Sequence, residues 1–193
     1  MNENHSTLCS SPEWAEFICD EVLTPLAERV DLGEELLELG PGYGAATRWL
    51  RGRVSRLTAL ELDRDLAKRL ADEFDGTNVT VEVGDCTSVE FPDASFDSVA
   101  TFTMLHHLPS AAQQYATLGE AFRLLRPGGT LIGSDSLASP GLHLFHDGDM
   151  YNPIDPARLL VFLQAIGYDR ITLSIDGGMM FAAHKPAEGE GDA

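Results

Sequence analysis

The stretch Leu36-Leu37-Glu38-Leu39-Gly40-Pro41-Gly42-Tyr43-Gly44-Ala45 constrains this chain more than any other. A short apolar run ends in an acid, breaks into a glycine-rich turn and resumes as Ala46-Thr47-Arg48-Trp49-Leu50, which reads as a helix. Strand, tight loop and helix in that order form the opening unit of a nucleotide-binding α/β fold. Gly40 and Gly42 have a physical task there. Without Cβ they take backbone angles closed to other residues and let a ligand lie against the main chain. The ligand itself stays open at this point. Gly40-x-Gly42-x-x-Ala45 also satisfies the dinucleotide fingerprint, and Glu61 stands about 20 residues on, where a ribose-binding acid belongs.

The rest of the chain repeats the same alternation. Strands are expected at Glu35–Leu39, Arg56–Leu62, Asn78–Val83, Asp97–Phe102 and Thr130–Ser134. Helices are expected at Arg64–Phe74, where Leu66, Leu70 and Phe74 recur at four-residue steps, and at Ala111–Leu125. Arg126-Pro127-Gly128-Gly129 reads as a sharp turn between that helix and the fifth strand. Such alternation argues for a parallel sheet wound on both faces. The end differs. Pro156–Ile166 reads as a helix, and only Asp176-Gly177-Gly178 separates the strands Arg170–Ile175 and Met179–His184, so the last pair should be an antiparallel hairpin. The fold class is therefore a Rossmann-like, doubly wound, mostly parallel sheet of seven strands. It occupies residues 35–185, between an N-terminal helical cap (1–34) and an acidic, disordered tail (186–193).

Within the cap, residues 1–11 are polar and expected to be mobile. From Pro12 to Val30 the apolar positions Trp14, Phe17, Ile18, Val22, Leu23 and Leu26 fall at helical spacing, with Ser11 as N-cap and Pro25 forcing a kink or break. This segment reads first as cover for one sheet face. The alternative is a lid, with Trp14 turned to the ligand.

A formal charge of −18 repels phosphate backbones and anionic lipid, which counts against nucleic acid and membrane as partners. No apolar stretch approaches the ~20 residues of a membrane span. The first residues lack a secretory pattern, so a cytoplasmic location is expected. Cys9, Cys19 and Cys86 stand at unrelated spacings and suggest neither disulfide nor zinc site.

Ligands of open α/β sheets bind outside the carboxyl ends of the strands. Gly40–Gly44, Glu61, Asp85-Cys86, Phe102–His107 and Asp135 all fall there. Glu61 has two oxygens for the two ribose hydroxyls, and Asp85 can accept from an exocyclic adenine amine, with the Cys86 amide facing a ring nitrogen. In this order the motifs resemble those of the class I S-adenosylmethionine-dependent methyltransferases. Glu38-Leu39-Gly40-Pro41-Gly42-Tyr43-Gly44 is similar to that family's first motif, and Leu60-Glu61-Leu62-Asp63 to its ribose-binding motif. Gly84-Asp85-Cys86 is similar to its adenine-binding motif, Phe96-Asp97 to Met104-Leu105-His106-His107 to its fourth-strand motif, and Leu124 to Gly129 to its turn before strand five. The resemblance implies S-adenosylmethionine as cofactor and Glu38, Gly40, Pro41, Gly42, Tyr43, Glu61, Leu62, Asp85, Cys86 and Phe102 as the residues that bind it. An acid at Glu38 suits a ligand with an ammonium and a sulfonium better than a pyrophosphate.

Phe102-Thr103-Met104 departs from the Asn/Asp-Pro-Pro-Tyr type of sequence found in methylases of nucleic acid bases, although Thr58–Ala71 and Asn78–Asp85 read loosely like the rRNA adenine dimethylases. The expected acceptor is a small molecule, recognised by the N-terminal helix and the 136–156 connection. For a hydroxyl acceptor, His107 and His146 are the candidate general bases. His143, His146 and Asp147 resemble metal ligands by type if they share a helical face, but the pattern is common and no metal is assigned. The competing readings are an NAD-linked oxidoreductase and a catalytically inactive S-adenosylmethionine-binding protein that acts through partners.

Overall fold

A computed structural model describes residues 2–27, 30–187 and 189. Seven strands form one sheet: β1 (Glu35–Leu39), β2 (Arg56–Glu61), β3 (Val79–Val83), β4 (Phe96–Phe102), β5 (Leu125–Asp135), β6 (Asp169–Ile175) and β7 (Met179–His184). Their order is β3-β2-β1-β4-β5-β7-β6. The first five run parallel, whereas β7 pairs antiparallel with both β5 and β6, as the Asp176-Gly177-Gly178 turn dictates. The winding reverses between β1 and β4, which places the carboxyl ends of β1, β2 and β4 side by side.

Most of the helices around the sheet start where the sequence supplies a cap. α4 (Ala45–Leu50) follows Gly44, which takes φ 77°. Asp63 accepts from two amides at the start of α5 (Arg64–Glu73). Ser110 caps α6 (Ala111–Leu124), Ser139 caps α7 (Pro140–Phe145), and Asp155 with Pro156 begins α8 (Pro156–Ile166). Leu118, Leu124, Leu159 and Leu163 bury one sheet face together with Leu37, Leu39 and Val99. On the other face Leu36, Leu57 and Ile132 pack against Leu50 of α4 and against Ile18, Val22, Leu23 and Leu26 from the N-terminal segment.

That segment departs from one expectation and matches another. Where a polar, mobile stretch was expected, Glu3–Cys9 forms α1, capped by the Asn2 side chain, and His5 is buried. The Asn2 amide also donates to the carbonyls of Phe145 (2.9 Å) and Asp147 (3.1 Å), so α1 is tied to the end of α7. The helical run from Pro12 is broken before Pro25, one of the two outcomes expected there. It divides into α2 (Pro12–Phe17), capped by Ser11 as expected, a π-helical turn (Ile18–Leu23) and α3 (Thr24–Ala27). Pro25 offers no amide hydrogen, and the widened turn before it sends both the Thr24 amide and its hydroxyl to the carbonyl of Cys19. Glu28 and Arg29 of this expected helix lie outside the described residues.

A second correction concerns Arg126–Gly129. These residues fall within β5, where the register slips between Phe96↔Leu125 and Ser98↔Thr130. The extra residues are accommodated with Gly128 at φ 82°, so the turn expected from sequence appears as an irregularity inside a strand. Most of the tail expected to be disordered lies outside the described residues. Among the described residues, no helix is long and apolar enough to cross a membrane.

Candidate active site

The glycine loop is fixed by bonds that leave one side of it bare. The Gly40 amide donates to the Leu60 carbonyl at 2.9 Å, with φ 69°. A Cβ on Gly40 would lie 2.4 Å from Cγ of Met104, so both backbone angle and space require glycine here. Gly42, at φ 56°, donates its amide to Oε2 of Glu61 at 2.9 Å, and a Cβ there would meet nothing within 4 Å. It borders open space. Glu61 is buried at the end of β2, and its Oε1 accepts the Asp63 amide at 2.9 Å. One carboxylate therefore clamps the glycine loop to the start of α5.

Glu38 lies beneath the same loop, 2% exposed, and accepts the Thr47 hydroxyl at 2.6 Å. Burial pushes its carboxyl up to about 7. The Thr47 bond opposes that rise, and the nearby negative charge of Glu61 adds to it.

These residues open onto a cavity of about 900 Å³. Glu38, Gly40, Pro41, Gly42, Tyr43, Glu61, Leu62, Asp85, Cys86 and Phe102 all line it, as do His107 and His146. Several have engagements of their own. The Tyr43 hydroxyl bonds Ser6 Oγ at 2.7 Å, linking the glycine loop to α1. Asp85 is exposed, and its Oδ1 accepts both the amide and the hydroxyl of Thr87. Leu62 is 69% exposed, a large apolar surface on the cavity wall. Burial raises the Cys86 thiol, against the opposing contact with the Thr117 hydroxyl. Beside Phe102, Thr103 holds φ 50°, a left-handed conformation that a β-branched residue rarely adopts.

A second group of lining residues is rich in imidazole. His106 and His107 belong to a 3₁₀ turn (Leu105–His107) after β4, and His146 ends α7. His5, from α1, lies edge-on to His146 at 4.5 Å between ring centres and stacks on His107 at 5.0 Å. Asp135, at the end of β5, accepts from the His106 amide at 3.1 Å and sits 2.6 Å from His106 Nδ1.

Residues 37–133 match a family described as a methyltransferase domain, a span that runs from the glycine loop through the fifth strand. The chain belongs to the class I S-adenosylmethionine-dependent methyltransferase family. A Bordetella pertussis protein named ribosomal RNA small subunit methyltransferase A is 35% identical over 89 residues, covering 42% of this chain and 34% of that one. An Amycolatopsis mediterranei protein named 27-O-demethylrifamycin SV methyltransferase is 30% identical over 132 residues, 63% of this chain and 47% of that one. The chain thus spans a third to a half of the length of these curated relatives. A solved structure of an S-adenosylmethionine-dependent methyltransferase from Methanosarcina mazei shares the fold, with a TM-score of 0.71 at 18% identity over 86% of this chain and 99% of that one.

For a methyltransferase of this family, the cofactor motifs are the part that sequence makes plain. The imidazole cluster is not. The sequence grouping His143, His146 and Asp147 does not assemble: His143 Nδ1 faces the Ser139 carbonyl on the exposed side of α7, whereas His146 turns inward to His5 and His107. A lone histidine in a polar N-terminal segment carries no local signal of such a role, so His5 was not foreseeable. Asp135 and His106 were both visible at strand ends, but the bond between them was not. Burial lowers the titration of His5, against the opposing Asp149 bond, and that of His146. His107 is pushed down to about 3 by burial and by the neighbouring imidazoles His106 and His5.

Proposed function

We propose that this chain transfers the methyl group of S-adenosylmethionine to a small-molecule acceptor bound at the histidine-lined part of the cavity. One observation carries this: Glu38, the Gly42 amide, Glu61 and Asp85 surround a single cavity of about 900 Å³, a size suited to a small-molecule site. In this reading Glu61 accepts the ribose hydroxyls with lone pairs that its two amide partners leave over, and Asp85 meets adenine. Leu62 and Phe102 supply the apolar faces, and Glu38 opposes the ammonium of the cofactor. The protein's main contribution is alignment of the sulfonium methyl with the acceptor atom, so that sulfur leaves in line as bond formation proceeds.

The acceptor reading rests on enclosure and charge. α1 and α7 are bonded to each other over the cavity, and the chain carries a net charge of −18, which disfavours a polyanion. Calorimetric titration is expected to show saturable binding of S-adenosylmethionine and S-adenosylhomocysteine and none of NAD. A methyl-transfer screen should then find a small acceptor. Saturable NAD binding without a response to S-adenosylhomocysteine would restore the oxidoreductase reading. Methylation of RNA alone would overturn the small-molecule acceptor, and cofactor binding without turnover on any acceptor would favour the non-enzymatic reading.

Glu38 adds a pH dependence with a definite sign. Its carboxyl titrates near 4.5 when exposed and near 7 in the folded chain, so the folded state is the one that holds the proton more tightly. Below about 4.5 the group exerts no penalty; as pH rises towards about 7, cofactor-free stability falls, by something on the order of 3 kcal/mol at 1.36 kcal/mol per unit. A bound ammonium favours the ionised form. The rise in melting temperature caused by S-adenosylhomocysteine should therefore grow between pH 5 and 8 in the wild type and grow less in Glu38→Gln. Equal pH profiles in the two proteins would remove Glu38 from the cofactor site.

A further inference from the structure

We propose that His5, His107 and His146 form a three-imidazole site for a divalent first-row metal, zinc above all, whose fourth position opens into the acceptor part of the cavity. One nitrogen from each ring lies within 4.8 Å of the other two. Tetrahedral zinc with bonds of 2.0–2.1 Å needs about 3.3 Å between ligand atoms, a tightening within reach of small side-chain rotations.

The second nitrogen of each ring is already committed. His5 Nδ1 lies 3.0 Å from Oδ2 of Asp149, His107 Nδ1 lies 3.2 Å from the Met150 carbonyl, and His146 Nδ1 lies 2.7 Å from the Leu142 carbonyl. All three partners are acceptors, so each ring donates its Nδ1 hydrogen and keeps an unprotonated Nε2. That is the arrangement in which histidine binds a metal: one nitrogen anchored to a carboxylate or carbonyl, the other a free lone pair. Nε2 is then the nitrogen each ring has left for a metal, and a buried Nε2 that meets no donor is a polar mismatch. The mismatch is explicit at His146, which is 4% exposed and whose Nε2 has no hydrogen-bond partner. A cation at the centre answers all three lone pairs together.

The ligands arrive from parts of the chain far apart in sequence, each held by its own support. α1 is tethered through Asn2 and Ser6, the 3₁₀ turn through Asp135, and α7 through its Ser139 cap. Tyr151 stacks on His146 at 4.2 Å and fixes that ring's plane. Imidazole ligands suit zinc and its first-row neighbours better than magnesium or calcium, which take oxygen. Three neutral ligands also leave the metal its full positive charge and an open position, as in catalytic rather than structural sites.

The open position gives the acceptor a chemical class. A hydroxyl bound there loses its proton to solvent more readily, because the metal stabilises the alkoxide. The alkoxide oxygen then forms its bond to the methyl carbon while the bond from that carbon to sulfur breaks, which turns the sulfonium into a neutral thioether. This last assignment rests on the methyl-transfer reading; the metal site itself does not.

The chelator-treated protein, titrated with zinc against a chromophoric competitor, should bind one equivalent. His5→Ala, His107→Ala and His146→Ala should each weaken binding by at least ~100-fold, whereas His143→Ala, on the outer side of α7, should not change it. Cobalt(II) in the wild type should give the intense visible bands of tetrahedral coordination, and azide should shift them if the fourth position is open. That spectrum needs no variant, so it decides even where an alanine substitution prevents folding. Absence of the bands, or zinc binding unchanged in His107→Ala, would overturn the site. S-Adenosylhomocysteine titration of the same protein separates the outcomes: cofactor binding without metal binding rejects the metal site alone, and the reverse rejects the methyltransferase reading alone.

Discussion

His146→Ala is expected to lower methyl transfer by roughly 10²–10⁴-fold, the range for losing a positioned group that acts on the acceptor's proton, while leaving S-adenosylhomocysteine affinity nearly intact. The separation follows from the connections each group makes. His146 stands at the end of α7, with Nδ1 on the Leu142 carbonyl and its other nitrogen unpaired beside His5 and His107. Among the described residues, no hydrogen bond runs from it to the glycine loop or to the acids of β1 and β2; those acids are held by Thr47 and by the Gly42 and Asp63 amides. Removing the ring also leaves the Leu142 carbonyl without that donor, a cost of about 1 kcal/mol in stability that a melting curve will show. Turnover is therefore compared in protein verified as folded. A rise in KM with unchanged kcat would mean that the ring only positions the acceptor. Wild-type turnover, or lost cofactor affinity in a folded variant, would show that His146 does not belong to the acceptor site.

The contrast between these two parts of the cavity is also the contrast between what sequence shows and what it hides. The sheet was legible because its signals are local. Leu36–Leu39 is an apolar run followed by a glycine turn, and Asp176-Gly177-Gly178 between two alternating segments permits little except a hairpin. The residues proposed to bind the cofactor share that property, since each lies at or just past the end of a strand whose boundaries the sequence marks. The histidine cluster depends on three segments meeting in space, and no spacing between positions 5, 107 and 146 encodes the meeting. α1 illustrates the same limit. Glu3–Cys9 has weak helical periodicity, and what holds it is tertiary: the Asn2 amide on α7, Ser6 on Tyr43 and His5 on Asp149. The π-helical turn at Ile18–Leu23 was half visible. Pro25 announced a break, but not that the chain would widen one turn earlier to place the Thr24 amide.

Glu61→Ala should weaken S-adenosylhomocysteine binding by about 1.5–3 kcal/mol, or roughly 10- to 150-fold, the range for hydrogen bonds to a charged group. Two losses combine. The ribose hydroxyls lose their acceptor, and the Gly42 and Asp63 amides lose the carboxylate that now holds them at 2.9 Å each. The second loss frees the loop proposed to carry the cofactor, so part of the effect is a loss of preorganisation. Glu61→Gln separates the two. Its oxygen can keep one amide, but its NH₂ would face the other donor, so it should bind worse than wild type despite matching shape. Asp85→Ala should cost less, because Asp85 is exposed and one of its oxygens is already occupied by Thr87. The variant carries a further signature. The negative charge of Glu61 helps to raise the Glu38 carboxyl, so its removal should let Glu38 ionise at lower pH. The pH at which cofactor affinity rises should then move down in Glu61→Ala, even as the affinity itself falls. A folded Glu61→Ala protein with wild-type affinity would place the ribose elsewhere than at the end of β2. A weakened one with an unmoved pH profile would mean that the two acids act on the cofactor independently.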